Sequence, residues 1–310
     1  MLINQPGATR SAKLLAQYLC GLPLLLFFSL PLAAETSLWK ISKNRSELYL
    51  GGTIHVLRDS DYPLPAAFQR AFDQASLLGL ETDLRKVADA TFQQQLLAAT
   101  RYPSGQNLAD HLSVEALQAL QARCDKAGIG LRSLLPYKPA VAMLSLMHHE
   151  LNRLGVTAVG VDEYFMRQAI AADTPIVGLE TANQQLQFLA EMGVGFESEF
   201  ILHSVADIEQ LEPLLQEMIV LWRSGDSAKL EAMFVTPLKH QYPAIYRSIL
   251  LERNRDWLRQ IEALLETPET ELVLVGVAHF PGNDGLLHQL QLRGYTIEQL
   301  QGDSNALSAP

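Results

Sequence analysis

Apolar and polar positions alternate in short stretches near the two ends of the chain and recur every three to four residues between them. Trp39 to Ser42 and Glu47 to Gly52 flank the polar Lys43-Asn44-Arg45-Ser46, which predicts a β-hairpin. Pro65 to Gln74 predicts a helix with Ala66 and Phe68 to Phe72 on its apolar face. Ala75 to Leu80 is a short apolar run, read as a buried strand that ends at Glu81. From Val87 to Gly193 the pattern is helical. Ser113 caps a helix reaching Lys126 that Gly128 and Gly130 stop, Pro139 opens another running through Leu151 to Gly155, and Val161 to Ala172 is a third. Within this stretch Pro175 to Leu179 reads as a buried strand and Ala182 to Glu191 as a helix. Phe196 to about Trp222 follows as a further helix, then shorter ones to Glu266. The chain closes on a strand, Glu271 to Gly276, a helix, Asp284 to Leu292, and a strand, Tyr295 to Leu300. Strands at both ends around a helical middle predict an α/β fold: a central mixed sheet completed by both chain termini, flanked by helices, with a large helical insertion. No internal repeat is visible, which argues against a solenoid.

Ahead of this body Arg10 and Lys13 precede an apolar run from Leu14 to Leu32 that closes on Ala33 and Ala34, the layout of a secretory signal. Gln17, Gly21, Pro23 and Pro31 interrupt the run and polar sequence follows at once, so removal is expected rather than a permanent membrane anchor. The expected organisation is a signal peptide over residues 1–34 and a single domain over 35–310, periplasmic or secreted. Cys20 leaves with the leader. Cys124 then stands alone, which excludes an internal disulfide or a cysteine metal cage and suits a packing role. Loss of Arg10 and Lys13 moves the formal net charge from −10 to −12, since all the acidic residues lie beyond the leader. Such a surface repels phosphate backbones, so no nucleic acid partner is expected.

Two strands end alike, in Leu50-Gly51-Gly52-Thr53-Ile54-His55 and in Val275-Gly276-Val277-Ala278-His279. Residues just past strand C-termini face the ligand crevice of an open α/β sheet. Glycine there is expected to let the backbone turn sharply and approach a ligand closely, and histidine delivers an imidazole to the mouth. Glu81 ends another apolar run, and an acidic group in that place is costly unless paired, hydrogen-bonded or bound to a cation. Glu180 repeats the arrangement after Ile176-Val177-Gly178-Leu179, although it can equally serve the N-terminus of the helix that follows. Together these strand ends offer two imidazoles and two carboxylates, a set that suits Zn, Mn, Co or Fe(II). Arg253 and Asn254 are groups that hold a carboxylate or polarise a carbonyl, or else belong to an exposed charged helix. His148-His149-Glu150 lacks the second histidine of a zinc-protease helix, no serine sits in a Gly-x-Ser-x-Gly elbow, and Cys124 has no nucleophile signature.

These motifs, with Glu81-Thr82-Asp83, Gly160-Val161-Asp162-Glu163-Tyr164-Phe165, Gly178-Leu179-Glu180-Thr181, Glu252-Arg253-Asn254 and the Phe280-Pro281-Gly282-Asn283 that follows His279, occur in an order that resembles the TraB/GumN family of bacterial envelope proteins. That family is related to the animal Tiki proteases, which trim Wnt ligands. The resemblance implies the fold shared with erythromycin esterases and the ChaN-type haem-binding lipoproteins. Through the Tiki branch it implies a divalent-metal-dependent peptidase, with His55, Glu81 and His279 as the metal or catalytic residues and Arg253 and Asn254 in a further motif.

The resulting expectation is a periplasmic hydrolase of a peptide or small-molecule substrate that uses Mn, Co or Zn. In it Glu81 or Glu180 accepts a proton from water, and Arg253 or Asn254 holds the oxyanion. Two alternatives stay open: a metal-free esterase-like hydrolase, with His55 as general base and Glu81 fixing its tautomer, and a non-enzymatic haem or metal binder. The exported form should begin near Glu35. Its intact mass checks this, and retention of residues 1–34 would turn the leader into an anchor.

Overall fold

The computed structural model describes residues 35–87 and 89–302, so the leader expected over residues 1–34 lies outside them. Its strands are β1 (Glu35–Lys43), β2 (Ser46–Thr53), β3 (Val56–Leu57), β4 (Leu77–Leu80), β5 (Ala158–Val159), β6 (Ile176–Gly178), β7 (Glu271–Gly276) and β8 (Thr296–Gln301). Six of them form one mixed sheet in the order β6-β4-β7-β2-β1-β8, and β3 pairs with β5 in a small ribbon of its own. β1 and β2 make the predicted hairpin, with Lys43 opposite Ser46. Asn44 in its turn takes φ 58°, a left-handed conformation that asparagine tolerates better than most residues. β8 pairs antiparallel with β1, so strands from the two ends of the described chain complete the sheet as the hydrophobic pattern predicts. β2, β7, β4 and β6 run parallel and therefore end on the same edge.

Period-two alternation sends successive residues to opposite faces of this sheet. Leu272 and Leu274 of β7 join Leu38, Leu78 and Leu80 against the helices Ala66–Gln74, Val161–Ala171 and Leu211–Ser224, where Phe68, Phe165 and Trp222 pack. Val273 and Val275 face the other way, onto Trp257, Leu258 and Ile261 of Arg253–Leu264 and Leu286 and Leu290 of Leu286–Leu292. The helical insertion has its own core of Leu120, Cys124, Leu146, Phe200 and Ile201. Cys124 is fully buried there, the packing role expected of it. Glu150 is tied to the buried Arg123 at 2.5 Å and to Arg153 at 2.6 Å, which gives the His148-His149-Glu150 run a structural explanation. Among the described residues no helix is long and apolar enough to cross a membrane.

Two expectations change. The helix expected from Phe196 to Trp222 is two helices, Glu197–Glu209 and Leu211–Ser224, parted at Gln210. Pro213 accounts for the break, because a ring without an N–H is accommodated in a first turn but not in a helix interior. The glycines of the two Gly-x-x-His segments supply space rather than a turn: Gly51 and Gly52 lie in extended β2, and Gly276 has φ −50°. A β-carbon on Gly51 would stand 2.7 Å from Leu274 Cδ2 and 2.8 Å from Phe68 Cε1. Gly51→Ala should therefore cost about 1–3 kcal/mol through overpacking. A lowered urea midpoint checks this, and an unchanged midpoint would show that the core yields.

Candidate active site

Each parallel strand delivers one polar side chain to the shared edge. Glu180 follows β6, Glu81 follows β4, His279 follows β7 and His55 follows β2, so the four stand in that order across the sheet. The helix Arg253–Leu264 packs beneath this edge and brings Arg253 to the carboxylates. Arg253 Nη2 lies 2.6 Å from Glu81 Oε2 and 2.6 Å from Glu180 Oε1, and its Nε lies 3.1 Å from Glu180 Oε2. The guanidinium is also held against the Trp257 ring, 4.5 Å from its centroid, and 5.5 Å from that of Phe188. A π-helical turn, Arg247–Glu252, leads directly into Arg253. Such turns re-aim the residues that follow and recur at functional sites.

The tautomer of His279 follows from its neighbours. Asn254 Nδ2 donates to the carbonyls of His279 and Asp284, which turns its Oδ1 onto His279 Nδ1 at 2.6 Å. Nδ1 therefore carries the hydrogen and Nε2 keeps a lone pair, 3.4 Å from Arg253 Nη1 and 4.0 Å from Glu81 Oε1. Burial disfavours a charge on this ring and holds it down to about 3, against the pull of Glu81. Glu81 behaves oppositely. Burial would raise it, but Arg253 above all, with the Gly276 N–H donating to Oε1 at 2.7 Å, brings it to about 2. Because His279 is neutral above that range, the cations acting on Glu81 at neutral pH are Arg253 first and His55 after it.

His55 is anchored from the far side of the crevice. The β3–β5 ribbon and the Val161 N–H bonded to the Ile54 carbonyl dock the helix Val161–Ala171 onto the end of β2. Gly160 makes this docking possible, since a β-carbon there would fall 2.2 Å from the His55 carbonyl carbon. Asp162, in the first turn of that helix, then meets His55 Nδ1 through Oδ2 at 3.0 Å. Crowding by the crevice walls lowers the affinity of His55 for a proton. The Asp162 bond and charge outweigh it, with help from Glu81, and raise the ring to about 9. With 62 % of its side-chain surface accessible, its partner rather than burial governs its charge.

The crevice is a cavity of about 320 Å³ lined by His55, Leu80, Glu81, Thr82, Asp162 and Glu163, with Gln185 at its rim. His279, 4 % exposed, stands behind Glu81. Every expected site residue thus lies at or beneath one strand-end edge, but two of the roles differ from expectation. Asn254 is 3 % exposed and its amide is fully engaged in orienting His279, so it is not an oxyanion donor. Glu180 does not cap the next helix: Thr181 and Gln184 form that capping box, and both Glu180 oxygens hold Arg253. Asp162 is a site residue that was read only as part of a family motif. Its signal was Gly160 followed by acidic residues at a helix start, a pattern that ordinarily marks helix capping.

A family model described as the TraB/PrgY/gumN family matches residues 37–299. The chain belongs to the TraB/PrgY/gumN family. No curated protein and no solved structure matches it.

Whether the residues of this TraB/PrgY/gumN chain suit a divalent cation can be judged from the donors. Among the described residues, no three carboxylate, imidazole or thiol groups form a finished cation cage. The side chains of three candidate donors nevertheless converge beside Gly276. The point where a β-carbon on Gly276 would stand lies 3.1 Å from Glu81 Oε1, 3.6 Å from His279 Cδ2 and 4.0 Å from His55 Nε2. Both rings are pinned through Nδ1 by an oxygen acceptor, the arrangement that fixes and strengthens metal-ligating histidines. The three carboxylates of Glu81, Glu180 and Asp162 outnumber two cations, Arg253 and the protonated His55, so a further positive charge would be stabilised here. The donor types suit such an ion, while their present placement does not form its shell.

In metal-free protein, ¹⁵N NMR should show His279 as the Nδ1–H tautomer, neutral down to about pH 3, and His55 protonated up to about pH 9. A His279 that gains its proton near the ordinary value of about 6.5 would contradict this description of the site.

Proposed function

We propose that the protein is an exported, divalent-metal-dependent hydrolase that cuts peptide bonds, with His55, His279 and Glu81 as the ligands of a Mn, Co or Zn ion. One observation carries the reading: two imidazoles, each anchored through Nδ1, and a carboxylate anchored by a backbone N–H border the same small space beside Gly276. When bound, the ion would supply Lewis-acid polarisation of the scissile carbonyl and a more acidic water.

The chain's own groups divide the remaining work. Arg253 commits Nε and Nη2 to carboxylates and turns Nη1 onto His279 Nε2 at 3.4 Å; once His279 held an ion, that N–H would be released to steady negative charge on the substrate oxygen. Glu180 holds that guanidinium in place, and Asn254 holds His279. Glu81, at about 2, is too weak a base for neutral pH and acts as a ligand. Asp162 Oδ1 is buried without a hydrogen-bond partner, which makes it the acceptor for a proton or N–H arriving with water and substrate.

Peptide chemistry is favoured by the resemblance to the Tiki proteases, and export by the leader pattern. The metal-free alternative has less support, because the partner of His55 is Asp162 rather than Glu81 and that partner keeps the ring protonated instead of poised as a base. A haem pocket would need broad apolar walls, whereas among the described residues Leu80 is the only apolar side chain lining this cavity.

Metal analysis of protein purified without a histidine tag, combined with a peptide-cleavage assay, tests the proposal. His55→Ala and His279→Ala should each lose bound metal together with activity. Asn254→Ala should weaken metal affinity by roughly 10–100-fold. Chelation should silence the native protein, and Mn, Co or Zn should restore it. Undiminished cleavage by chelated protein shown to contain no metal would transfer the case to a metal-free mechanism.

A further inference from the structure

Asn254 fixes the tautomer of His279 only while its amide keeps one orientation, because that group carries a donor on one side and an acceptor on the other. Turned over, it would present Nδ2 to the ring's Nδ1. The ring hydrogen would then sit on Nε2, the nitrogen that faces Arg253 and Glu81. What holds the amide is the pair of carbonyls that its Nδ2 meets, His279 at 3.3 Å and Asp284 at 3.0 Å. The nearer of the two belongs to the loop that follows His279, so the orientation of the amide depends on where that loop is held.

The loop is held from outside the site. The Asp284 carboxylate accepts through Oδ2 from Tyr246 Oη at 2.6 Å and from Lys239 Nζ at 2.8 Å. Burial, then the bond to Asp284, pushes Tyr246 far above the usual phenol range. Lys239 and Tyr246 in turn hold Asp284 below the usual carboxylate range, so a neutral phenol donates to a charged acceptor. Bonds of that kind are roughly twice as strong as neutral ones. Tyr246 is 6 % exposed and forms a small cluster with Val235 and Leu250, against which Ala278 packs. Cluster and hydroxyl thus meet the chain on both sides of His279 in sequence. Two glycines let the loop close on itself: a β-carbon on Gly285 would fall 2.2 Å from the Phe280 carbonyl oxygen, and Gly282, at φ 83°, lies under Glu231 Oε1. Tyr246 also stands directly before the π-helical turn Arg247–Glu252 that leads into Arg253 and Asn254. One helical run therefore carries both the amide and the hydroxyl that holds its acceptor in place.

We infer that Tyr246, acting through Asp284, is a positioning residue for His279: its hydroxyl keeps the Asp284 carbonyl where Asn254 can hold Nε2 of the ring free of hydrogen. Lys239 adds to the same carboxylate from the surface, where its side chain is 48 % exposed, and contributes less. The inference rests on the proposed ion site only in saying what Nε2 is for, because the tautomer is a property of the metal-free protein.

The test is ¹⁵N NMR of the metal-free protein, native and as Tyr246→Phe and Asn254→Ala, with solvent exchange of the His279 Nδ1–H measured alongside. Tyr246→Phe keeps the ring in its cluster and removes only the hydroxyl. The Nδ1–H should then exchange about tenfold faster or more, and the ring nitrogens should shift toward their values in Asn254→Ala. The Trp222 Nε1–H, bonded to the Gly52 carbonyl in the core, should keep its native rate. Zinc affinity should fall about tenfold, and in an Asn254→Ala background the same substitution should add nothing, since the tyrosine acts through that amide. Should Tyr246→Phe fail to fold, Lys239→Met at the surface carries the test, with the same direction and a smaller effect. A His279 ring unmoved in the folded variant, equal acceleration of the Trp222 N–H, or losses of zinc affinity that add in the double variant would overturn the inference. A protein that binds no zinc yet shows the altered ring would keep the inference and sink the proposed ion site.

Discussion

The site depends on one cation. Four parallel strands ending on one edge bring Glu180, Glu81, His279 and His55 side by side, and two half-buried carboxylates on adjacent strands repel each other in a medium that screens poorly. The guanidinium of Arg253, 2.6 Å from an oxygen of each, makes that crowding tolerable. Desolvating such charges is costly, and removing one partner from a buried pair typically costs about 3–5 kcal/mol. Trp257 and Phe188, with ring centroids 4.5 and 5.5 Å from the guanidinium carbon, help hold the planar group against its carboxylates. Arg253 is therefore structural, because without it the two acidic strand ends would neutralise or separate.

That arrangement divides the atoms around it into committed and available ones. Glu180 is committed wholly to Arg253, Glu81 to Arg253 and to the Gly276 N–H, and Asn254 to His279 and two carbonyls. The least committed atoms are His279 Nε2 and Arg253 Nη1, which face each other at 3.4 Å, His55 Nε2, and Asp162 Oδ1, which has no hydrogen-bond partner. Under the proposed function the two imidazole nitrogens would donate to the ion, the guanidinium would offer positive charge and Asp162 would accept a proton, the complement of metal-assisted carbonyl hydrolysis. The opposite proton affinities of the two histidines follow from the same geometry. His279 is enclosed beside a cation and stays neutral, whereas His55 stands at the open side against a lone carboxylate and is charged until a competing cation takes its place.

Much of this was legible in the chain before its structure. Apolar runs closed by a single polar residue, at Leu80-Glu81 and Leu179-Glu180, and the twin Gly-x-x-His endings mark strand termini, and parallel strands necessarily share an edge. What could not be read is how elements remote in sequence dock there. Asp162 reaches His55 because the two-residue pairing of Val56-Leu57 with Ala158-Val159 and the bare backbone of Gly160 admit a helix start. A short ribbon of that kind leaves no periodic signal. Asn254 looked like a functional amide on composition alone, and only its three hydrogen bonds reveal an orienting role. The π-helical turn ahead of Arg253 is equally silent in sequence, since its hydrogen-bond shift changes where a side chain points without changing which residues are apolar. The glycines, expected to form turns, proved to be absences of volume: at Gly51 for Leu274 and Phe68, and at Gly276 for the site itself.

The most direct test of the central claim is the X-ray absorption spectrum of protein loaded with one equivalent of zinc or manganese, recorded for the native chain and for His55→Ala and His279→Ala. The account predicts a first shell containing two imidazoles and carboxylate oxygen, with zinc–nitrogen distances of about 2.0–2.1 Å, and the loss of one imidazole in each variant. A shell of oxygen alone, or one that neither substitution alters, would contradict it.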